Sequence, residues 1–174
     1  MNNPTFGTYR GWSFKDNKWV YGRLINKGCN CFIVLNEFNP YDMLFDIKSL
    51  YENIVLVSCF SIGICAGESD SKDTPIHVGD IIKLADSSHW FVGFSAMRGF
   101  YLHEITSWAG GSRSLESILT PSYFTQARVI GNAYENRGLL EGKYDVVFYG
   151  DGQAMIALVE TKNETTLLEE IREH

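Results

Sequence analysis

Several features common to membrane and secreted proteins are missing from this sequence of 174 residues. No run approaches the roughly 18 apolar residues that a membrane-spanning helix needs. The start, Met1-Asn2-Asn3-Pro4, lacks the charged and apolar regions of a signal peptide. We therefore expect a cytoplasmic protein without a membrane association, whose four cysteines are thiols rather than a disulfide framework.

Net positive charge is also missing, because 15 Lys and Arg stand against 21 Asp and Glu, a net charge of −6. This balance excludes a protein that coats nucleic acid by overall charge, so any such binding must be local. The charge is unevenly spread. Residues 1–28 carry five basic residues against Asp16 alone, whereas residues 160–174 carry five glutamates against Lys162 and Arg172.

Recognisable catalytic and cofactor motifs are absent: there is no nucleophile elbow and no helical zinc motif. The residues that could ligate zinc are Cys29, Cys31, Cys59, Cys65, His77, His89 and His103. The cysteine spacings, with one and five intervening residues, fit structural zinc sites poorly. The loop 110–114 lacks the lysine and spacing of a phosphate loop. We therefore expect neither a metal nor a cofactor.

The stretch around which the sequence is organised is 76–84, Ile-His-Val-Gly-Asp-Ile-Ile-Lys-Leu. Gly79 can take a positive φ in a tight turn, and the Asp80 carboxylate can accept hydrogen bonds from nearby backbone amides. The β-branched residues that follow indicate a core strand, so we expect Ile81, Ile82 and Leu84 to be buried. The residues before this stretch form one set of short strands, and those after it form another.

Residues 9–24 have the pattern of a hairpin that turns at Asp16-Asn17. This turn predicts that Phe14 faces Trp19, Trp12 faces Tyr21 and Arg10 faces Arg23 across the two strands. Aromatic pairs of this kind stabilise a sheet by roughly 0.2–1 kcal/mol each.

Further short strands are separated by Gly and Asn turns. We predict strands at 31–35, 54–65, 127–132, 144–149 and 154–159, a hairpin over 90–102, and short helices near 42–51, 115–119 and 165–173. This spacing predicts a mostly-β fold with small barrel-like or curled antiparallel sheets, SH3-like in character, and a few short helices. We assign residues 1–142 to one β domain, divisible into sub-lobes at about 1–66 and 76–142. Residues 143–174 form a hairpin plus a short acidic helix.

Four motifs occur in order: Arg10-Gly11, Trp19-Val20-Tyr21-Gly22, Gly79-Asp80-Ile81-Ile82, and Ile130-Gly131-Asn132 with Tyr134-Glu135-Asn136. Over about residues 5–141 this order resembles the YopX family of bacteriophage and prophage proteins. The sequence departs from the family at Ser61–Cys65, at Val78 and at Arg137. The resemblance implies a mostly-β fold and a phage or mobile-element context, and hence the cytosol of a bacterial host. It implies no catalytic residues.

The Tyr-Glu-Asn motif has a structural interpretation. Leaving the strand, Asn132 and Asn136 can close side-chain turns, while Tyr134 packs its ring inward and keeps its hydroxyl in water. With Gly79 and Asp80, these residues are predicted to form structural turns.

Asp145, Glu160 and Lys162 offer one catalytic alternative. An acid followed by Glu-x-Lys at the end of the next strand is typical of metal-dependent nucleases, in which carboxylates hold a divalent ion and the lysine assists the attacking water. Only twelve residues follow Lys162, too few for the rest of such a nuclease core. A hairpin that ends in a solvated charged segment is the alternative that we favour.

The N-terminal hairpin combines aromatic with basic residues, as surfaces that bind single-stranded nucleic acid do. The ligand-binding candidates are Arg10, Trp12, Lys15, Lys18, Trp19 and Arg23. The rings can equally pack on the core, or the basic hairpin can meet the acidic residues 160–174 within one chain or between subunits. We therefore expect a non-catalytic phage or prophage accessory protein that binds a host or phage protein or single-stranded nucleic acid. Assembly into a homo-oligomer is compatible with this expectation. A small metal-dependent nuclease is the alternative.

Overall fold

The computed structural model describes residues 8–35, 51–97, 99–106, 112–114, 127–140 and 144–158. In these residues the fold is mostly β, as predicted, and consists of two antiparallel sheets. The first sheet has the order β4-β3-β2-β1-β5-β6. Its strands are β1 (Tyr9–Ser13), β2 (Lys18–Lys27), β3 (Asn30–Leu35), β4 (Ile54–Val57), β5 (Gly63–Ser69) and β6 (Pro75–His77).

The central strand of the second sheet is β8. It pairs with β9, with β7 and, at Phe94, with β13. Outer strands complete it: β10 pairs with β9, β11 with β7, and β12 with β13. Its strands are β7 (Asp80–Lys83), β8 (His89–Ser95), β9 (Gly99–Glu104), β10 (Ser112–Ser114), β11 (Arg128–Asn132), β12 (Tyr144–Phe148) and β13 (Ala154–Leu158). The chain passes from the first sheet to the second at Gly79, between β6 and β7.

The first sheet curls around a small apolar core but does not close into a barrel. The amide of Ser58 donates to the carbonyl of Trp12 at 3.0 Å, which brings the end of β4 next to β1. A Cβ on Gly11 would lie only 2.8 Å from Val57, so glycine permits this close approach. The side chains inside the curl are Val20, Cys31, Ile33, Val57 and Ile62.

The predicted register of the N-terminal hairpin is wrong by two residues. Trp12 faces Trp19, and Arg10 faces Tyr21. The connection has four residues, Phe14 to Asn17, rather than two. The reason is a local hydrogen-bond exchange: the Ser13 hydroxyl donates to Asp16 Oδ2, and the Asp16 amide donates back to Ser13 Oγ. Asn17 completes the turn with φ 51°.

The predicted continuous strand over 54–65 is also wrong, because a corner interrupts it. A 3₁₀ turn at Cys59–Ser61 separates β4 from β5. The two strands lie toward opposite edges of the sheet, because β4 pairs with β3 and β5 pairs with β1. The chain therefore has to turn between them. The Ser61 hydroxyl holds the corner by donating to the Ser58 carbonyl and accepting from the Trp12 amide.

Strands β7 and β8 are buried on both faces. Ile82, Leu84, Trp90 and Val92 belong to one apolar cluster. Ile81 and Phe91 belong to another, which includes Val78, Ile105 and the side chains of the β12–β13 hairpin. The predicted burial of Ile81, Ile82 and Leu84 is confirmed.

The β12–β13 hairpin contacts both sheets. Phe148 packs against Gly79, and Gly150 lies next to Cys31 of β3 and Cys59 of the 3₁₀ turn. A Cβ on Gly152 would overlap the ring of Tyr9, so this turn requires glycine, which also has φ 93° there. The hairpin therefore closes the space between the sheets.

The predicted hairpins over 90–102 and 144–159 and the strand over 127–132 are confirmed as β8–β9, β12–β13 and β11. Most of the predicted helix over 42–51 and the predicted helices at 115–119 and 165–173 lie outside the described residues, as does the loop 110–111. Tyr51 and Glu52 lie in a helical turn.

Candidate functional site

A buried ion pair between Arg10 and Asp80 joins the two sheets, and we call this pair with the side chains around it the junction. Arg10 on β1 is 8% exposed and Asp80 at the start of β7 is 1% exposed, with 2.6 Å between Arg10 Nη2 and Asp80 Oδ1. The same Nη2 lies 3.4 Å from the Val78 carbonyl, to which it donates. Gly79, with φ 89°, makes the turn that brings this carbonyl and the Asp80 carboxylate to the same guanidinium. Gly79 thus lies in a turn, and Asp80 accepts a backbone amide next to it.

His77 and Tyr21 complete the polar part of the junction. Asp80 Oδ2 accepts the His77 amide at 2.8 Å. Burial and the nearby Arg10 charge lower the pKa of His77 to about 3, so the ring is neutral at physiological pH. Its Nδ1 lies 3.1 Å from the Pro75 carbonyl, and its ring contacts Tyr21 at 5.6 Å. Burial also raises the pKa of the Asp80 carboxyl, against the opposing effect of Arg10.

Trp19 covers the guanidinium of Arg10, and two further aromatic rings pack around Trp19. The Cζ of Arg10 lies 4.7 Å from the Trp19 ring centre, a cation–π distance. Trp19 contacts Trp12 at 5.5 Å and Tyr134 at 5.8 Å between ring centres, and Trp12 contacts Tyr134 at 6.3 Å. The ring of Tyr134 therefore packs onto two rings of the N-terminal hairpin.

The turn 132–136 fixes this cluster from the second sheet. Asn132 Oδ1 accepts the amides of Tyr134 and Glu135, and Asn136 Oδ1 accepts the amide of Asn132. Glu135 Oε2 then accepts from both Trp19 Nε1 and Asn132 Nδ2, each at 2.8 Å. Asn132 and Asn136 thus each close a turn with their side chains. The structure thus brings the four separate sequence motifs together at one junction.

The roles of Glu135, Tyr21 and His77 at this junction were not predicted from the sequence. Glu135 was part of a recognised motif, but nothing in the sequence indicated that its carboxylate would bond an indole 116 residues earlier. His77 and Tyr21 meet only because β6 and β2 are placed around the same ion pair. No local pattern carries such information.

The ligand-binding candidates fall into two groups in the structure. Arg10, Trp12 and Trp19 make the internal contacts described above, so their side chains hold the sheets together. Lys15, Lys18 and Arg23 are exposed. Two rings beside them are exposed as well, Phe14 at 67% and Tyr21 at 45%.

An apolar area lies next to these basic residues on the outer face of β2, β3 and β4. Ile25, Phe32 and Leu56 are register partners and form one row across the three strands. Arg23, Val34 and Ile54 form the adjacent row. Ile25 is 45% and Leu56 52% exposed, while Phe32, Val34 and Ile54 are half-buried. We call these two rows the outer face.

The alternative catalytic set is not assembled by the described residues. Asp145 on β12 is exposed, and its Oδ1 accepts the amide of the adjacent Val146. Glu160 and Lys162 lie outside the described residues. Across the described ranges, no group of three or more His, Cys, Asp and Glu side chains is arranged to hold a metal ion. The four cysteines are free thiols, and burial raises the pKa of Cys31.

The fold and the junction define a mostly-β protein of two sheets, locked by a buried ion pair and open on the outer face. No family model matches the sequence, and a search of curated proteins finds no match. In the described part of the chain, no helix has the length and apolar character needed to cross a membrane.

Proposed function

We propose that this protein is a non-catalytic binding module, in the phage or prophage context that its resemblance to YopX proteins implies, and that it binds a protein partner on the outer face. The observation that carries the proposal is the row Ile25, Phe32 and Leu56, an apolar strip across three strands in which Ile25 and Leu56 are exposed and Phe32 is half-buried. Isolated exposed apolar residues are ordinary, but a contiguous apolar area with a polar border is typical of an interaction surface.

Charge defines the chemistry of the partner. Every second side chain of β2 points outward, and from Tyr21 onward the basic residues Arg23 and Lys27 alternate with the aromatic Tyr21 and the apolar Ile25. Aromatic and arginine side chains are enriched in interfaces, and charged residues form their borders. The complementary partner is a protein segment that presents apolar side chains with flanking carboxylates.

The junction supports this proposal by making the surface rigid. β2 carries both Trp19, which is fixed by Arg10, Tyr134 and Glu135, and the outward residues of the outer face. A preformed surface loses less conformational freedom when a ligand binds. The aromatic and ionic contacts of the junction therefore serve binding indirectly, through the position of β2.

A selection from a random peptide library tests the proposal. We expect the wild-type protein to enrich peptides that combine apolar with acidic residues, and the double variant Ile25→Ser/Leu56→Ser to lose this enrichment. The matched control is Val147→Ser/Met155→Ser, because Val147 and Met155 are register partners on the other sheet with 49% and 41% exposure. Equal enrichment by both variants, or none by the wild type, would refute the proposal.

Single-stranded nucleic acid at the hairpin is the second candidate, favoured by the exposed rings of Phe14 and Tyr21 beside Lys15, Lys18 and Arg23. Bases stack on such rings with about 1–3 kcal/mol each. Fluorescence anisotropy with labelled oligonucleotides at low salt tests it. Binding that weakens steeply with salt and is lost in Lys15→Glu/Lys18→Glu/Arg23→Glu would establish this function in place of the first.

The nuclease alternative with Asp145, Glu160 and Lys162 has a direct test. Labelled DNA and RNA are incubated with Mg²⁺ or Mn²⁺, and then with chelator. We expect no cleavage. Metal-dependent cleavage that disappears in Glu160→Ala/Lys162→Ala would make the protein an enzyme.

A further inference from the structure

Two cations face each other at one end of the second sheet. Lys83 ends β7 and Arg128 begins β11, and the two residues are register partners with exposed side chains. Like charges directly opposite on neighbouring strands destabilise a sheet. We call these two residues the basic pair.

No carboxylate of the described chain compensates the basic pair. Neither residue forms an ion pair with any described residue. Asp86, three residues after Lys83, accepts the amide and hydroxyl of Ser88 instead. Asp70 lies beside β11, but its carboxylate accepts the amides of Val129, Lys72 and Thr74. The basic pair is therefore an open position for an anionic group.

The chain leaves β13 on the same face of the sheet. Leu158 pairs with Tyr144, whose ring contacts His103 at 5.3 Å. His103 pairs with Phe91 and Phe91 with Ile81, which lies two residues before Lys83 on the same side of β7. Two strand spacings and two residues place His103 about 12 Å from Lys83. The steps from Leu158 to Tyr144 and from Tyr144 to His103 add to this distance. An extended chain advances about 3.3 Å per residue, so residues 159–174 are long enough to reach the basic pair.

The residues that follow β13 have the complementary charge. Residues 160–174 carry five glutamates against Lys162 and Arg172. We propose that the basic pair is a binding site for a carboxylate-rich segment, and that its occupant is residues 160–174 of the same chain. The basic N-terminal hairpin is the competing acceptor for this segment. The proposal does not rest on the function proposed for the outer face, which lies on the other sheet.

Carbodiimide cross-linking of the full-length protein tests this assignment, because the reagent joins a lysine amine to a carboxylate only when the two are in contact. At low salt we expect Lys83 to be linked to glutamates of residues 160–174, several-fold more than Lys15 or Lys18. The yield should fall several-fold in 0.5 M NaCl. It should also fall in Arg128→Gln, and not in the control Arg137→Gln, which removes another exposed arginine.

A second readout separates loss of docking from loss of the reactive amine. A glutamate-specific protease should cut residues 160–174 faster in Lys83→Glu/Arg128→Glu than in the wild type, and at the wild-type rate in Lys83→Arg, which keeps the charge. Absence of links to Lys83, or links mainly to Lys15 and Lys18, would overturn the proposal. Links found only between isotopically different chains in a mixed sample would overturn it in favour of exchange between two copies.

Discussion

The two sheets differ in how many of their faces are covered. In the second sheet, neighbouring residues of β7 and β8 point into two different apolar clusters, with Ile82 in one and Ile81 in the other. In the first sheet, Ile33 is fully buried inside the curl, whereas Ile25 on the outer face is 45% exposed. This difference indicates that β7 and β8 are covered on both faces, whereas the first sheet provides a free surface on its outer face.

The junction makes the two sheets one unit. Its buried ion pair draws one partner from each sheet, so neither charge is compensated unless both sheets are in place. A buried pair costs desolvation energy, and its removal on one side is more damaging than the absence of both charges. This property allows the comparison between the sheets to be tested directly.

The largest effect is expected from Asp80→Ala. The substitution leaves the Arg10 guanidinium buried without its partner, so we expect a loss of about 3–5 kcal/mol in the free energy of unfolding. The double variant Arg10→Met/Asp80→Leu removes both charges and should recover much of this loss. Urea denaturation measures all three proteins. A double variant as unstable as Asp80→Ala would show that the two charges stabilise the folded state by more than compensating each other.

Ile81→Ala should destabilise by about 2–5 kcal/mol, because it opens a cavity in a cluster that the sheet buries completely. Ile25→Ala is the matched change on the outer face and should cost well under that range. Thermal and urea unfolding of the two variants compare a covered face with the outer face at one residue type. Equal losses would contradict the conclusion that Ile25 belongs to a free surface.

Acid should weaken the junction through His77. Its folded pKa of about 3 lies below the unfolded value of 6.5, so the unfolded chain binds the proton more readily. The stability contribution is full above pH 6.5 and is lost as the pH falls toward 3, with about 2 kcal/mol lost between pH 8 and pH 5. His77→Gln should flatten this part of the profile. Burial alone would raise the pKa of Asp70, but the amides of Val129, Thr74 and Lys72 lower it overall. The stability that Asp70 contributes is therefore lost only below about pH 4.

The smallest effect on stability is expected from Ile25→Ser/Leu56→Ser, within about 0.5 kcal/mol for each exposed position. The same variant should lose the enrichment of apolar and acidic peptides. Unfolding and peptide selection on one preparation separate the two properties. A strongly destabilised variant would mean that the outer face is part of the core rather than a free surface.

The sequence predicted the class of fold and the position of most described strands, because alternation and Gly or Asn turns are local signals. It predicted Gly79, Asp80, Asn132 and Asn136 as turn residues for the same reason. The hairpin register could not be predicted, since Ser13 and Asp16 together extend the turn to four residues. The corner at Cys59–Ser61 was hidden because the apolar pattern continues through it.

The candidate surfaces were harder to predict than the strands. The sequence indicated aromatic and basic residues on the N-terminal hairpin, but it did not indicate which of them the second sheet would use. Trp12, Trp19 and Arg10 are held by Tyr134, Glu135 and Asp80, which lie far along the chain. The outer face depends on the alignment of Ile25 with Phe32 and Leu56, and the residues between Phe32 and Leu56 contain no signal for this register.

By itself, therefore, the sequence determined the short strands, the side-chain turns at Asn132 and Asn136, and the uneven charge of the chain. These properties depend on residues within a few positions of one another. Only the tertiary structure decided which charges are compensated and which apolar side chains stay exposed. Arg10 and Arg23 are alike in the sequence, but one is buried against Asp80 and the other is open to solvent, because burial is set by contacts between residues that are distant along the chain.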